Sequence, residues 1–225
     1  TGVDALDKLL EGGFEKDTIT IIYGPGGSGK TNICMQASLS MVAEGKKVIY
    51  IDTEGGSSYA RISQLQNYSE EAARSILFLK PTTFDGQRNS FEKMKELMSE
   101  RIGAVFVDSI AMLYRLEIGK SKKVYDLNRD LGRQISTLSQ IARKNMIPVI
   151  VTNQVYSSMD GNTVMVGGDL LKYQSKCLIE LQKLQRSQRL AILRKHRSIP
   201  EDSTVEFEIL EKGLFMLSGS SGRSQ

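Results

Sequence analysis

The sequence predicts an α/β fold in which helices flank a mainly parallel central sheet and antiparallel strands close its C-terminal end. Three observations predict it. Short β-branched, apolar runs alternate with helical segments over residues 18–154. The first of these runs leads into Gly24-Pro25-Gly26-Gly27-Ser28-Gly29-Lys30-Thr31, which fills the phosphate-loop pattern G-x-x-x-x-G-K-[ST] at every specified position. Beyond residue 176 the apolar runs are separated only by turns, as in antiparallel strands. The length of 225 residues suits one domain over residues 1–217, with a Ser/Gly-rich tail over 218–225 that is expected to be disordered.

Taken in order, Asp4 can cap a short helix carrying Leu6, Leu9 and Leu10, and Gly12-Gly13 ends it. Thr18 to Tyr23 reads as a buried strand. The glycines after it let the backbone wrap an anion, so that successive N–H groups and the positive end of the helix from Asn32 to Ala43 face a polyphosphate. In that arrangement Lys30 meets the β- and γ-phosphates and the Thr31 hydroxyl binds Mg²⁺. A glycine-rich turn that binds nothing is the alternative, and the strand and helix on either side argue against it.

A second strand, Lys47 to Ile51, ends in Asp52-Thr53-Glu54. Ligands gather beyond the carboxyl ends of parallel strands. Glu54 is therefore placed to take a proton from a water and aim it at a γ-phosphate. Its alternative role, shared with Asp52, is to cap the next helix. A helix over 60–66, a strand over 76–79, a loop around Pro81 and a helix over 90–100 follow. The apolar run Ala104 to Val107 then closes on Asp108, the position from which a carboxylate holds the Mg²⁺ shell.

Tyr114 to Val124 reads as a mobile basic loop, with Arg115, Lys120, Lys122 and Lys123 around Gly119 and Ser121. Asp126 opens a long helix whose Leu127, Leu131, Ile135, Leu138 and Ile141 form an ordinary core stripe. Val149 to Gln154 is a further strand ending in amides, and Gln154 can bond a γ-phosphate and lose that bond after hydrolysis. The segment 155–171, with Gly161, Gly167 and Gly168, reads as a long flexible loop, coupled through Gln154 to nucleotide state. Strands over 176–181, 189–193, 204–210 and 214–217 complete the chain, with Arg194-Lys195-His196-Arg197 between two of them. On residue type alone His196, the single histidine, is a surface polar group.

The net charge of +4 is unevenly spread. Tyr114 to Asn145 carries eight Lys/Arg against three acids, and Lys172 to Arg197 eight against one, which suggests a polyanion surface or, failing that, a solvated charged face. Cys34 and Cys177 lie in apolar segments without C-x-x-C spacing and read as buried thiols in a reducing compartment. Without a long apolar run or a signal peptide, the sequence predicts a soluble intracellular protein and no membrane partner.

Four motifs in one order carry a family resemblance. Gly24 to Thr31, Tyr50-Ile51-Asp52-Thr53-Glu54-Gly55, Val107-Asp108-Ser109 with Leu113-Tyr114-Arg115, and Val151-Thr152-Asn153-Gln154 resemble the ATPase core of the RecA/RadA recombinases, as does the opening Gly2 to Phe14. The resemblance covers nearly the whole chain. It implies a RecA-like P-loop NTPase core with ATP and Mg²⁺ as cofactors. It gives catalytic roles to Lys30, Glu54 and Gln154, nucleotide binding to Gly24 through Asn32, metal binding to Thr31 and Asp108, and an adenine contact to Arg61, which on residue type alone is a surface charge. Gly119 to Val124 falls at the first DNA loop, with Lys120, Lys122 and Lys123 as contacts, and Ser157 to Leu170 at the second. Arg194, Lys195 and Arg197 are further candidate DNA contacts. Arg194 and His196 also sit where bacterial members carry two lysines that reach a neighbouring subunit's phosphates, with a structural or DNA-contact role as the alternative.

The sequence also departs from the family. The helix-hairpin-helix domain and Phe-x-x-Ala linker that precede this core in RadA are expected to be missing, Gly56-Ser57-Ser58-Tyr59 replaces the usual Thr-Phe-Arg-Pro, and the first DNA loop is short. The expectation is therefore a recombination and repair accessory with weak ATP hydrolysis used as a conformational switch. Its expected partners are single- or double-stranded DNA, a RadA-type recombinase, other repair proteins and a second copy of itself, in archaeal, nucleoid-associated cytoplasm. A self-sufficient strand-exchange recombinase and a RecA-fold regulatory ATPase outside DNA repair are the alternatives.

Overall fold

Period-two alternation in the central strands generates two cores, one on each face of a single sheet. A computed structural model describes residues 1–57, 59–120, 123–157, 163–165 and 167–217. In chain order the elements are α1 (Asp4–Leu9), β1 (Ile19–Gly24), α2 (Lys30–Ala43), β2 (Lys47–Asp52), α3 (Tyr59–Ile62), α4 (Glu70–Arg74), β3 (Ile76–Leu79), α5 (Phe84–Leu97), β4 (Ile102–Asp108), α6 (Met112–Ile118), α7 (Val124–Asn145), β5 (Val149–Ser157), β6 (Thr163–Met165), α8 (Gly168–Gln174), β7 (Cys177–Lys183), β8 (Gln188–Lys195), β9 (Thr204–Leu210) and β10 (Gly213–Met216). Successive side chains of a strand point to opposite faces. Ile22, Tyr50, Phe106 and Ile150 accordingly pack with α1 and α2, whereas Ile21, Ile51, Val107 and Val151 pack with α5 and α7.

The strand order is β10-β9-β8-β7-β1-β5-β4-β2-β3, with β6 paired to β5. From β3 to β7 the pairings are parallel, and from β7 to β10 antiparallel. This is the architecture the sequence predicts. It brings the carboxyl ends of β1, β2, β4 and β5 to one end of the sheet, where the register sets Gly24 beside Gln154 and Asp52 beside Asp108. The stripe on α7 is core, with Leu131, Ile135, Leu138 and Ile141 all buried. Truncating one of them, such as Leu138→Ala, costs about 2–5 kcal/mol.

Several expected elements differ. Tyr114 to Ile118 is helix rather than loop, because Leu113 and Tyr114 bury a face of α6 and the Tyr114 ring tilts against Phe84, 5.9 Å between centroids. The expected long loop over 155–171 contains the end of β5, the strand β6 and the start of α8; residues 158–162 and 166 lie outside the described residues. Helix α4 escapes an apolar-period reading because none of its residues is buried; the Ser69 hydroxyl, accepting from the Ala72 N–H, starts it. The first helix begins after Val3 with no side-chain cap, so Asp4 lies in its first turn. The tail over 218–225 lies outside the described residues. Cys34 and Cys177 are free, buried thiols, and burial pushes Cys177 up to about 12. Among the described residues no helix is long and apolar enough to cross a membrane.

Candidate nucleotide site

The phosphate loop turns from β1 into α2 over Pro25 to Gly29. Helix α2 starts on a left-handed Gly29 (φ 105°) with no side-chain cap, which leaves first-turn N–H groups without a side-chain acceptor. The loop is seated on the antiparallel end of the sheet, because three of its glycines give way to protein atoms. A Cβ at Gly24 would stand 2.4 Å from the Leu181 carbonyl oxygen, one at Gly27 3.3 Å from Lys183 Nζ, and one at Gly29 2.8 Å from Ile209 Cδ1. Lys30 Nζ donates to the carbonyls of Gly24 (2.9 Å) and Pro25 (3.0 Å) at the head of the loop. Burial lowers its affinity for a proton, against the pull of Glu54 and Asp108. Ser28 is fully buried and its Oγ has no hydrogen-bond partner.

Asp108 at the end of β4 is fully buried, and burial raises its pKa. Hydroxyl donors oppose that rise: Thr152 at 2.5 Å, Thr31, and Tyr50 at 3.0 Å. The Thr31–Asp108 contact places a hydroxyl and a carboxylate together at the helix start, a donor set that suits a hard divalent cation. At the end of β2, buried Asp52 accepts from the N–H groups of Glu54 (3.2 Å), Gly55 (2.8 Å) and Ser57 (3.2 Å) and from the Ser57 hydroxyl. Asp52 therefore ties the loop ahead of α3 and leaves the Glu54 carboxylate to another partner. That partner is Gln154 within β5, whose Nε2 donates to Glu54 Oε1 at 2.9 Å. Thr53 laces the β2 and β4 ends together, its N–H donating to the Asp108 carbonyl (2.8 Å) and its hydroxyl to the Ser109 carbonyl (2.7 Å). The Asp108–Ser109 peptide is cis.

The Rad51 family model matches residues 1–216. The chain belongs to the Rad51 family of RecA-type proteins. It is 43% identical over 217 residues to the "DNA repair and recombination protein RadB" of Methanococcus maripaludis strain C7, a match covering 96% of this chain and 99% of the relative. It is 42% identical over 211 residues to the protein of the same name from Methanocaldococcus jannaschii, covering 93% and 98%. A solved structure titled "Crystal structure of the RadB recombinase" superposes with a TM-score of 0.82 at 38% identity, covering 96% of this chain and 98% of that one.

Within this Rad51-family core, Lys30, Thr31, Glu54, Asp108 and Gln154 stand at one end of the sheet. Arg61 joins them through Asn32, to whose Oδ1 it donates at 2.6 Å, and it spans to the carbonyls of Leu210 (3.0 Å) and Glu211 (2.7 Å) in the β9–β10 turn. Beside Gln154, a cavity of about 570 Å³ runs along α6 to Gly119 and Lys120. Lys123 precedes α7, and Lys122 lies outside the described residues. The other basic cluster is engaged by groups of its own chain. Arg194 donates to Glu180 (2.8 Å) and Asp202 (2.5 Å), and Arg197 to Glu15 (2.9 Å) and Asp17 (3.1 Å). Lys195 Nζ closes the end of α8 on the carbonyls of Lys172 (2.8 Å) and Ser175 (2.9 Å). His196 is a buried side chain whose Nδ1 accepts from the N–H groups of Ser198 and Ile199, both at 3.2 Å.

Sequence reasoning misses Tyr50 and Thr152, the hydroxyls that hold Asp108; both sit in apolar strand runs where they read as core. It also misses Lys183 and Arg189, which reach the phosphate loop from a distant hairpin, Arg189 being 162 residues from Gly27 in the chain, and carry no local signal.

Proposed function

We propose that this chain binds Mg²⁺-ATP at the end of the sheet, binds DNA beside it, and serves recombination and repair as an accessory that turns ATP over slowly and uses it as a switch. The observation that carries the reading is the convergence of Lys30, Thr31, Glu54, Asp108 and Gln154 at four strand ends, in a chain whose relatives are named for DNA repair and recombination. The cradle fits a polyphosphate: an uncapped helix start, glycine backbone, a buried ammonium, and a buried serine hydroxyl without a partner. Thr31 and Asp108 fit Mg²⁺. When bound, Mg²⁺-ATP supplies a γ-phosphoryl group for transfer to water with its charge partly neutralised.

The chain's own residues do the rest. Lys30 holds phosphate charge at the loop, and Asn32 with Arg61 flanks the base side. Glu54 takes the proton of the attacking water. Gln154 holds that carboxylate through its amide and so ties β5 to the reacting end. The segment beyond β5 and the basic residues Lys120, Lys122 and Lys123 then form the DNA side, with Gln154 on the shared wall of the cavity along α6. Slow turnover is supported by the state of the trans-acting candidates: Arg194 is engaged by two carboxylates of its own chain, and His196 is buried with Nδ1 committed. The same engagement weighs against a self-sufficient strand-exchange recombinase. In this reading the partners are single- or double-stranded DNA, a RadA-type recombinase, other repair factors and a second copy, in archaeal cytoplasm.

Titration of a fluorescent ATP analogue with Mg²⁺ tests the reading. Lys30→Ala is expected to weaken binding by roughly ten- to a hundredfold, the range for a hydrogen-bonded charge. Equal affinity in the two proteins would overturn it.

A further inference from the structure

The β7–β8 hairpin sends Arg189 onto the outer side of the phosphate loop. Its Nε and Nη2 donate to the Gly27 carbonyl at 3.1 and 3.0 Å, while Nη1 donates to the carbonyls of Arg186 (2.9 Å) and Gln188 (2.7 Å). The guanidinium is thus fixed at its base by the hairpin's own backbone and grips the loop with a two-pronged contact. Gly27 is the position where the grip matters. It is exposed and left-handed (φ 73°), and its carbonyl belongs to the same peptide unit as the Ser28 N–H.

A peptide unit is planar and trans, so its carbonyl and its N–H point to opposite sides. Holding the Gly27 oxygen outward toward Arg189 therefore directs the Ser28 N–H into the loop, where it closes the turn by donating to the Pro25 carbonyl at 3.2 Å. A glycine in this conformation has no side chain to resist a flip of that peptide, and a flip would turn a carbonyl oxygen toward the anion in place of an N–H. A cation on the oxygen also polarises the peptide and strengthens its N–H as a donor. Lys183 Nζ, beside Gly27, adds positive charge on the same side.

We infer that Arg189 is a positioning residue of the nucleotide site: it locks the Gly27–Ser28 peptide with its N–H inward and so pre-organises the loop for a di- or triphosphate. The inference rests on the nucleotide-binding reading above. It gives the antiparallel end of the sheet a part in nucleotide affinity that its sequence does not advertise.

The test compares wild type, Lys30→Ala, Arg189→Ala and Arg189→Lys for binding of a fluorescent ATP analogue, alongside the nucleotide-free melting temperature of each. Arg189→Ala is expected to lose roughly three- to tenfold in affinity, the range for exposed charge-assisted hydrogen bonds. Arg189→Lys, which can reach the Gly27 carbonyl with a single donor, should fall between Arg189→Ala and wild type. A purely structural role would lower the melting temperature and leave affinity at the wild-type level in both Arg189 variants, and that result would overturn the inference while Lys30→Ala still binds poorly. Should Lys30→Ala bind as wild type does, the nucleotide reading itself fails. If Arg189→Ala does not fold, wild-type affinity in Arg189→Lys at an unchanged melting temperature is the overturning result.

Discussion

The phosphate loop and the basic run Arg194 to Arg197 are both conspicuous in the sequence, and the fold treats them in opposite ways. The loop's residues converge with side chains from three other strand ends, all directed to one place. The basic run disperses: Arg194 goes to Glu180 and Asp202, Arg197 to Glu15 and Asp17, and Lys195 to the end of α8. The difference lies in what fixes each role. A glycine-rich turn between strand and helix specifies its geometry through backbone conformation, which is local. A cation's role depends on which carboxylates the tertiary fold brings near it, and nothing within a few residues of Arg194 announces Glu180.

The sharpest break between the two regions is expected in catalysis. Glu54→Gln should lower ATP hydrolysis by roughly 10²–10⁴-fold, the range for losing a general base, while nucleotide affinity stays near wild type. Measured by phosphate release, an unaltered rate in Glu54→Gln would remove Glu54 from the chemistry.

DNA binding separates the regions next. For single strands the salt slope changes by about 0.7 per phosphate contact, so replacing Lys120, Lys122 and Lys123 together by Ala should flatten it by about 2. Arg197→Ala, whose guanidinium already serves Glu15 and Asp17, should leave the slope unchanged. Fluorescence anisotropy across a salt series measures both, and a flatter slope for Arg197→Ala would move the DNA surface to the C-terminal strands.

The smallest effect is on stability. Burial raises the Glu180 pKa, but the hydrogen bonds from Gln182 and Arg194 outweigh it and leave the carboxyl below its ordinary 4.5. A depressed carboxylate contributes stability that is present above its unfolded pKa and is lost as pH falls through the folded one. Arg194→Ala should therefore cost about 1 kcal/mol at neutral pH and start acid unfolding at a higher pH than wild type. Circular dichroism during acid titration would show it, and an unshifted midpoint would mean that the pair contributes nothing.

The same division explains what could be read in advance. The parallel sheet, the strand-end carboxylates and the loop follow from periodicity and spacing, and α2, β4 and α7 appear close to where their patterns place them. Helix α6 was hidden because its exposed face carries the charges that define a loop by composition, while its buried Leu113 and Tyr114 occupy too short a stretch to show a period. The bond between Gln154 and Glu54 joins residues a hundred positions apart. Each was legible as a strand-end polar group, but their contact depends on β5 lying beside β1 and β4, which is a property of topology.

That contact is the hinge of the proposed function, since among the described residues it joins the proposed water-activating carboxylate to the strand leading to the proposed DNA side. Amide hydrogen exchange over residues 149–174 tests it most directly, in wild type and Gln154→Ala, each with a non-hydrolysable ATP analogue or with ADP. The account predicts stronger protection of this segment with the analogue than with ADP in wild type, and equal protection in Gln154→Ala. Equal protection with both nucleotides in wild type, at saturating concentrations, would contradict it.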